Sequence, residues 1–208
     1  MDYHDYRRYE EVYREAGGDP DAVPWARLQP NRLFLSWAQK ERLKGNGLSA
    51  LVVGCGLGDD AEELQRRGFA VTAFDISETA IRWCKRRFPE SKVDYATADL
   101  FNLPEDWNNT FDFVFEAHTL QAISEDVRPQ AMEDIAKTVK PGGRLFVSCF
   151  GRNKETPAGD VPPWLLLKNE LDHFVACGLE VVSFETVHVK GRDRAAKRFR
   201  AVYAKPSK

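Results

Sequence analysis

A glycine-rich turn followed by an aspartate carries the clearest chemical signal in this sequence. Residues 50–60, ALVVGCGLGDD, begin with a short apolar run typical of a buried strand and continue into glycines that let the backbone turn tightly and approach a ligand. The helix predicted to follow presents its first amides to that ligand. Asp75 ends the next apolar run, where its carboxylate can accept hydrogen bonds from both hydroxyls of a ribose. Together these residues predict a nucleoside-binding site.

The spacing of the glycines indicates which class of nucleoside cofactor the loop can bind. A dinucleotide fingerprint needs a third glycine or alanine three residues after Gly56, whereas this sequence has Asp59 there. An acidic residue at the start of a helix repels a pyrophosphate but suits a cofactor that lacks phosphate and carries a positive charge. A dinucleotide-dependent oxidoreductase is therefore disfavoured.

The glycine loop resembles motif I of the class I S-adenosylmethionine-dependent methyltransferases, whose glycines follow the pattern Gly-x-Gly-x-Gly. Three further segments resemble later motifs of that family in the same order. These are 95–100 (YATADL), the exit of the third strand; 110–118 (TFDFVFEAH), the fourth strand ending at the reaction centre; and 139–148 (VKPGGRLFVS), the Pro-Gly-Gly turn that launches the fifth strand. The resemblance covers about residues 48 to 150. It departs from the family at Val52, where an acidic residue often contacts the amino acid end of the cofactor.

The resemblance implies that S-adenosyl-L-methionine is the cofactor, with Asp75 on the ribose and Asp99 and the amide of Leu100 on the adenine. The complete set of implied cofactor contacts is Trp25, Gly54, Cys55, Gly56, Gly58, Asp75, Ile76, Asp99, Leu100 and Glu116. Taken alone, the residues also allow simpler roles. Asp75 can cap the helix at Ser77, and Asp99 can cap the turn that precedes Pro104.

His118 is the expected catalytic residue, because it follows the fourth strand and the unperturbed pKa of histidine lies near neutrality. Methyl transfer from a sulfonium is an in-line displacement, so the enzyme mainly aligns the reactants and excludes water. A general base is needed only when the nucleophile is protonated. The sequence shows no second group that orients the imidazole, and a purely structural role for His118 is the alternative.

The N-terminal part points to one group within the family. Residues 5–16 place tyrosines at helical spacing, and Gly17 and Gly18 end this predicted helix. The Pro24-Trp25 pair that follows resembles the lid of the thiopurine and halide or thiol methyltransferases, where an aromatic side chain covers the cofactor. Aromatic faces attract a sulfonium as they attract other cations. The expected acceptor is therefore a small thiol, another chalcogen or a halide.

Composition limits the partners. A formal charge of -2 over 208 residues provides no field that would collect nucleic acid, so a small-molecule acceptor is expected and a nucleic-acid partner is not. Because no apolar run is long enough to span a membrane and the N-terminus is too polar for a secretory signal, a cytoplasmic protein without a membrane partner is expected. The cysteines lie far apart and predict buried thiols rather than a metal site or disulfides: Cys55, Cys84, Cys149 and Cys177.

The periodicity predicts an α/β fold, with a doubly wound, Rossmann-like, seven-stranded, mostly parallel sheet and an antiparallel C-terminal hairpin. Strands are predicted near 48–53, 70–75, 92–97, 111–116, 143–149, 179–189 and 199–204, and helices near 31–44, 59–67, 77–87, 127–139 and 167–177. One domain is expected over 1–208, comprising a helical lid segment, 1–45, and a cofactor-binding core, 46–208. The resemblance implies that the final strand is inserted beside the fifth.

The combined hypothesis is S-adenosylmethionine-dependent methyl transfer to a small-molecule nucleophile. One alternative is an O- or N-methyltransferase of a small metabolite, and another is a non-catalytic sensor that binds S-adenosylmethionine without turnover. The basic turn 190–198 can steer an anionic substrate, although a charge run of this kind is more typical of a solvated face.

Overall fold

The computed structural model describes residues 8–188 and 197–207. The helices are α1 Arg8–Glu15, α2 Arg32–Lys40, α3 Asp59–Arg66, α4 Glu78–Arg87, α5 Arg128–Thr138 and α6 His173–Ala176. The strands are β1 Ser49–Val53, β2 Ala70–Asp75, β3 Asp94–Thr97, β4 Phe111–Ala117, β5 Val139–Phe150, β6 Glu180–His188 and β7 Lys197–Ala204. None of the helices in these ranges has the length and apolar character needed to cross a bilayer.

The strands form a seven-stranded sheet in the order β3-β2-β1-β4-β5-β7-β6. Neighbouring strands run parallel in the pairs β1–β2, β2–β3 and β4–β5. Strand β7 runs antiparallel to both β5 and β6. The predicted mostly parallel sheet with an antiparallel C-terminal hairpin is confirmed, and so is the position of the last strand beside the fifth.

The chain divides into two compact units, whose described parts are 8–103 and 104–207 without the gap. In the first unit, α1 to α4 pack with β1 to β3, and fully buried Leu51, Leu64 and Phe74 supply much of its core. Helix α4 begins at Ser77, whose hydroxyl oxygen accepts a hydrogen bond from the Ala80 amide at 2.9 Å. Such a cap satisfies one of the amides that a helix leaves free at its start.

The second unit contains β4 to β7 with α5 and α6. The rings of Phe115 and Phe146 stack at 5.4 Å in its core. Strand β5 begins at Val139, earlier than predicted, because residues 140–143 bulge from the strand between two pairings with β4. A side chain on Gly143 would lie within 3.1 Å of three backbone oxygens, so this bulge requires glycine. The Pro-Gly-Gly segment is thus an irregularity within the strand rather than a turn before it.

Two predicted helices are shorter in the structure. Helix α2 ends at Lys40 instead of continuing to residue 44, since Arg42 has a positive φ of 52°. Residues 167–177 form a short 3-10 turn, Lys168–Glu170, and the four-residue α6 instead of one helix. Residues 5–7 of the predicted N-terminal helix and 190–196 of the basic turn lie outside the described residues.

Arg128 fixes the segment between β4 and α5. Its guanidinium is buried and donates to the carbonyl oxygens of Leu120 at 3.0 Å and Ile123 at 2.9 Å. It also pairs with the Glu170 carboxylate at 2.5 Å. A buried charge with these partners is stable only as a complete set, because losing one partner leaves the others desolvated and unpaired.

We expect Arg128→Met to lower the free energy of unfolding by about 2 to 4 kcal/mol, because it leaves the carbonyl oxygens of Leu120 and Ile123 without their donor. It also removes the nearer of the two guanidinium groups at Glu170, the other being that of Arg152 at 3.8 Å. Lys137→Met on the same helix is the matched control, since Lys137 pairs with Asp134 at 2.7 Å but is 54% exposed. That change should cost less than about 1 kcal/mol. Urea unfolding of both variants measures the difference, and equal losses would contradict the role given to Arg128.

Candidate active site

The glycine loop between β1 and α3 has a backbone that other residues rarely adopt. Gly54, Gly56 and Gly58 have φ values of 60°, 54° and 91°, all in the left-handed region. Between them, the amide of Cys55 donates to the Phe74 carbonyl at 2.8 Å, which ties the loop to the end of β2. The glycines are therefore needed for the backbone conformation itself.

The space around the loop also requires glycine. A Cβ on Gly58 would lie 2.6 Å from the Tyr95 hydroxyl oxygen, which is closer than atoms can approach. A Cβ on Gly56 would lie 3.2 Å from the Tyr13 hydroxyl oxygen. Side chains thus pack directly against this backbone, as expected of a loop that approaches other groups closely.

Asp75 connects the glycine loop to the start of α4. One carboxylate oxygen accepts from the Gly56 amide at 2.8 Å and the other from the Ser77 amide at 2.9 Å. Burial raises the pKa of this carboxyl, and the two amides partly offset that effect. The Ser77 contact is the predicted cap, but Asp75 is only 7% exposed and so is not solvated. Each oxygen keeps a lone pair that can accept from a ribose hydroxyl.

Aromatic side chains cover the loop from the N-terminal side. The Trp25 indole nitrogen donates to the Tyr13 hydroxyl at 2.8 Å, and its ring meets Tyr9 and Tyr13 edge-on at 5.3 and 5.6 Å. Tyr13 also packs edge-on against Trp83 of α4. Tyr13 is buried, whereas Trp25 is 39% exposed. Trp25 therefore belongs to an aromatic layer over the loop while part of its surface remains accessible.

Glu10, which the sequence did not single out, attaches α1 to the start of α4. Its carboxylate accepts from the Ser77 hydroxyl at 2.6 Å and from the amide and hydroxyl of Thr79 at 3.0 and 2.6 Å. Burial tends to raise the pKa of Glu10, but these hydrogen bonds outweigh it and the pKa is lowered. Ser77 and Thr79 lie 67 and 69 positions after Glu10 in the sequence, so no local sequence pattern predicts these contacts.

The electrostatic expectation for Asp59 needs correction. Both of its carboxylate oxygens accept from the Arg87 guanidinium at 2.9 Å, so an adjacent cation balances its charge. A paired carboxylate repels a phosphate less than an isolated one. The charge of Asp59 alone therefore does not exclude a dinucleotide.

The thiols near the loop form no disulfides. Hydrogen bonding to Cys84 and burial raise the pKa of Cys55 well above its ordinary value. The Cys84 thiol donates to the Gly56 carbonyl at 3.2 Å. Cys149 is buried as expected, whereas Cys177 is half-buried. These thiols pack and form weak hydrogen bonds.

Asp99 caps a turn, as the simpler alternative predicted. Its carboxylate accepts from the Phe101 amide at 3.0 Å at the start of the 3-10 turn Leu100–Asn102. Leu100 is buried and Ile76 is half-buried. The adenine contacts assigned to these residues stay predictions.

Glu116 is fully buried at the end of β4 in the second unit. One carboxylate oxygen accepts from the amides of Thr119 and Leu120 at 2.8 and 3.0 Å. Its other oxygen has no hydrogen-bond partner among the described residues. Burial raises the pKa of Glu116 to about 7, which the two amides lower only in part. The observed role of Glu116 is to hold the following turn, and its cofactor contact stays a prediction.

His118 lies in that turn with its imidazole held in place. Its backbone has a positive φ of 71°, and its amide donates to the Ser148 carbonyl at 2.9 Å. The imidazole Nδ1 lies 3.1 Å from Oε1 of Gln121, and the ring meets Phe150 edge-on at 5.0 Å. The expectation that nothing orients the imidazole is therefore wrong. The three-residue spacing of His118 and Gln121 in a turn could have predicted this contact from the sequence.

The raised pKa of Glu116 predicts a pH dependence of stability. The ionised form is disfavoured in the folded protein, so folding loses free energy as the pH rises from about 4.5 to about 7 and levels off above that. Glu116→Gln does not titrate. Between pH 5 and pH 8, the wild type should lose about 2 to 3 kcal/mol of unfolding free energy relative to this variant. Urea unfolding across that range measures the loss, and a constant difference would contradict it.

Comparisons with known proteins agree on one kind of domain. Residues 50–143 match the sequence model of a family described as a methyltransferase domain. A ubiquinone biosynthesis O-methyltransferase of Idiomarina loihiensis is 31% identical over 153 residues, which cover 71% of this chain and 58% of that protein. A probable thiol methyltransferase 2 of Arabidopsis thaliana is 27% identical over 176 residues, which cover 81% and 74%. The chain spans about half the length of several curated relatives that it matches.

Solved structures support the same fold. The N-methyltransferase NodS of Bradyrhizobium japonicum WM9, solved in complex with S-adenosylhomocysteine, matches with a TM-score of 0.70 and 19% identity. The match covers 95% of this chain and 98% of that one. At this identity the likeness shows the fold alone.

Proposed function

We propose that this protein binds S-adenosylmethionine and transfers its methyl group to a small molecule. The match of residues 50–143 to a methyltransferase domain supports the proposal. The observation that carries the proposal is the left-handed glycine loop held by the buried Asp75 carboxylate. When bound there, the cofactor supplies a methyl group on a positively charged sulfur. Asp75 binds the ribose hydroxyls, and Asp99 with the Leu100 amide binds the adenine.

A thiol, another chalcogen or a halide is the first candidate for the acceptor. Trp25 supports this candidate, because it stands in the aromatic layer over the loop and the Pro24-Trp25 pair resembles the lid of the thiol methyltransferases. Soft nucleophiles of this kind are ionised or need little help, so alignment and exclusion of water supply most of the rate.

A hydroxyl or amine acceptor is the second candidate, and the imidazole of His118 favours it. An oriented histidine at the end of β4 can remove the proton that such an acceptor carries. The O-methyltransferase relative is consistent with this chemistry. A small-molecule acceptor fits the formal charge of -2, which would not attract nucleic acid.

Replacement of one loop glycine tests the cofactor site. Gly56→Ala should weaken S-adenosylmethionine binding at least about tenfold, because the new Cβ meets the Tyr13 hydroxyl at 3.2 Å on the side where the loop approaches its ligand. Gly47→Ala is the matched control, since Gly47 also has a positive φ, 85°, but has nothing within 4 Å of the added Cβ. Calorimetry should show near wild-type affinity for the control. Equal affinities would place the cofactor elsewhere.

Removal of the imidazole separates the two acceptor classes. With a thiol or halide, His118→Ala should reduce turnover by less than about tenfold, because proton removal adds little to the barrier. With an alcohol or phenol, the same change should cost about a hundredfold or more. Release of S-adenosylhomocysteine across panels of thiols, halides, phenols and amines measures both effects. Cofactor binding without release on any panel would favour a sensor over an enzyme.

A further inference from the structure

The turn that carries His118 is held more firmly than a surface turn requires. His118 has a positive φ, which is uncommon and energetically unfavourable for a residue with a side chain. Three backbone contacts maintain it, because the His118 amide bonds to Ser148 and the next two amides bond to the buried carboxylate of Glu116. Strain that the surroundings maintain in this way is typical of functional positions.

Gln121 is 4% exposed and its side-chain amide has a determined orientation. The backbone amide of Phe150 donates to its Oε1 at 2.8 Å. Only the oxygen end of a glutamine amide can accept such a bond, so the oxygen and nitrogen of Gln121 cannot be exchanged. Its backbone carbonyl in turn accepts from the Trp164 amide at 2.8 Å, which fixes the residue at both ends.

The orientation of Gln121 determines where His118 carries its proton. The same Oε1 lies 3.1 Å from Nδ1 of the imidazole and is an acceptor only, so Nδ1 must donate. A neutral imidazole has a single ring proton, and Nε2 then holds the lone pair. We infer that Gln121 is a positioning residue that keeps His118 in the tautomer whose Nε2 can act as a base.

This inference rests on the proposed function, in which the acceptor X–H loses a proton during methyl transfer. As the X–C bond forms, the bond between the methyl carbon and the positive sulfur breaks, and its electron pair goes to sulfur. The proton of X passes to Nε2, and the imidazolium keeps its Nδ1–H bond to Gln121. Edge-on contact with Phe150 limits rotation of the ring. The inference favours acceptors with a proton over halides.

A direct test reads the tautomer in the wild-type protein. In protein labelled with nitrogen-15 at histidine, a long-range proton–nitrogen correlation spectrum distinguishes Nδ1–H from Nε2–H. The His118 signals are those missing from His118→Ala. Neutral His118 should carry its proton on Nδ1, and an Nε2–H tautomer in the wild type would overturn the inference. This measurement needs no turnover, so it decides the inference even if no acceptor is ever methylated.

Two variants at position 121 give the kinetic test. Gln121→Leu removes the acceptor, so with a hydroxyl acceptor kcat should fall about tenfold or more while the KM for S-adenosylmethionine stays near the wild-type value. Gln121→Glu keeps an oxygen for both the imidazole and the Phe150 amide and should recover most of the rate. Because Gln121→Leu leaves that amide unpaired, the folding of each variant is checked by circular dichroism.

The decisive experiment combines His118→Ala and Gln121→Leu in one protein. In His118→Ala, adding Gln121→Leu should cause no further loss of kcat, because the group it positions is already absent. An equal loss in both backgrounds would show a merely structural role and would overturn the inference. Failure of the wild type to release S-adenosylhomocysteine on any panel would instead refute the proposed function.

Discussion

The first unit depends on one buried carboxylate. Asp75 accepts from the Gly56 amide on one side and the Ser77 amide on the other, so the glycine loop and the start of α4 share an anchor. Glu10 binds the same helix start and thereby attaches α1. A desolvated carboxylate gains from every further donor it receives. Loop conformation and ribose binding would therefore rest on the same two oxygens.

In the second unit, a buried carboxylate at the end of β4 also accepts hydrogen bonds from backbone amides. Glu116 is also buried and accepts from two amides, in its case the consecutive amides of Thr119 and Leu120, but one of its oxygens has no partner among the described residues. Burial raises the pKa of Glu116 to about 7, and its two amide hydrogen bonds offset that effect only in part. The cost of burying it secures a turn in which His118 holds a left-handed backbone. Folding stability is therefore lower at Glu116, where the buried carboxylate maintains the backbone conformation of the turn.

The sequence predicted what depends on local pattern. The strands, the glycine loop and the position of Asp75 follow from apolar periodicity and glycine spacing, whereas the place of the last strand beside the fifth followed from the family resemblance, and the structure contains all of them. The orientation of the Gln121 side-chain amide depends on Phe150, 29 positions away, and the attachment of Glu10 depends on partners up to 69 positions away, and no local pattern encodes either. The early start of β5 was missed for a related reason, since its bulge is defined only by pairing with β4.

This division between local and distant contacts also explains why the sequence predicts the cofactor more easily than it predicts the methyl acceptor. A relative named as an O-methyltransferase and a relative named as a thiol methyltransferase both match this chain over most of its length. Acceptor chemistry depends instead on which atom of a base faces the substrate, and in the turn after β4 that choice comes from the amide of Phe150. This amide fixes the Gln121 oxygen, which in turn fixes the proton of His118. A main-chain amide in β5 thus determines, through the side chains of Gln121 and His118, which imidazole nitrogen can accept a proton.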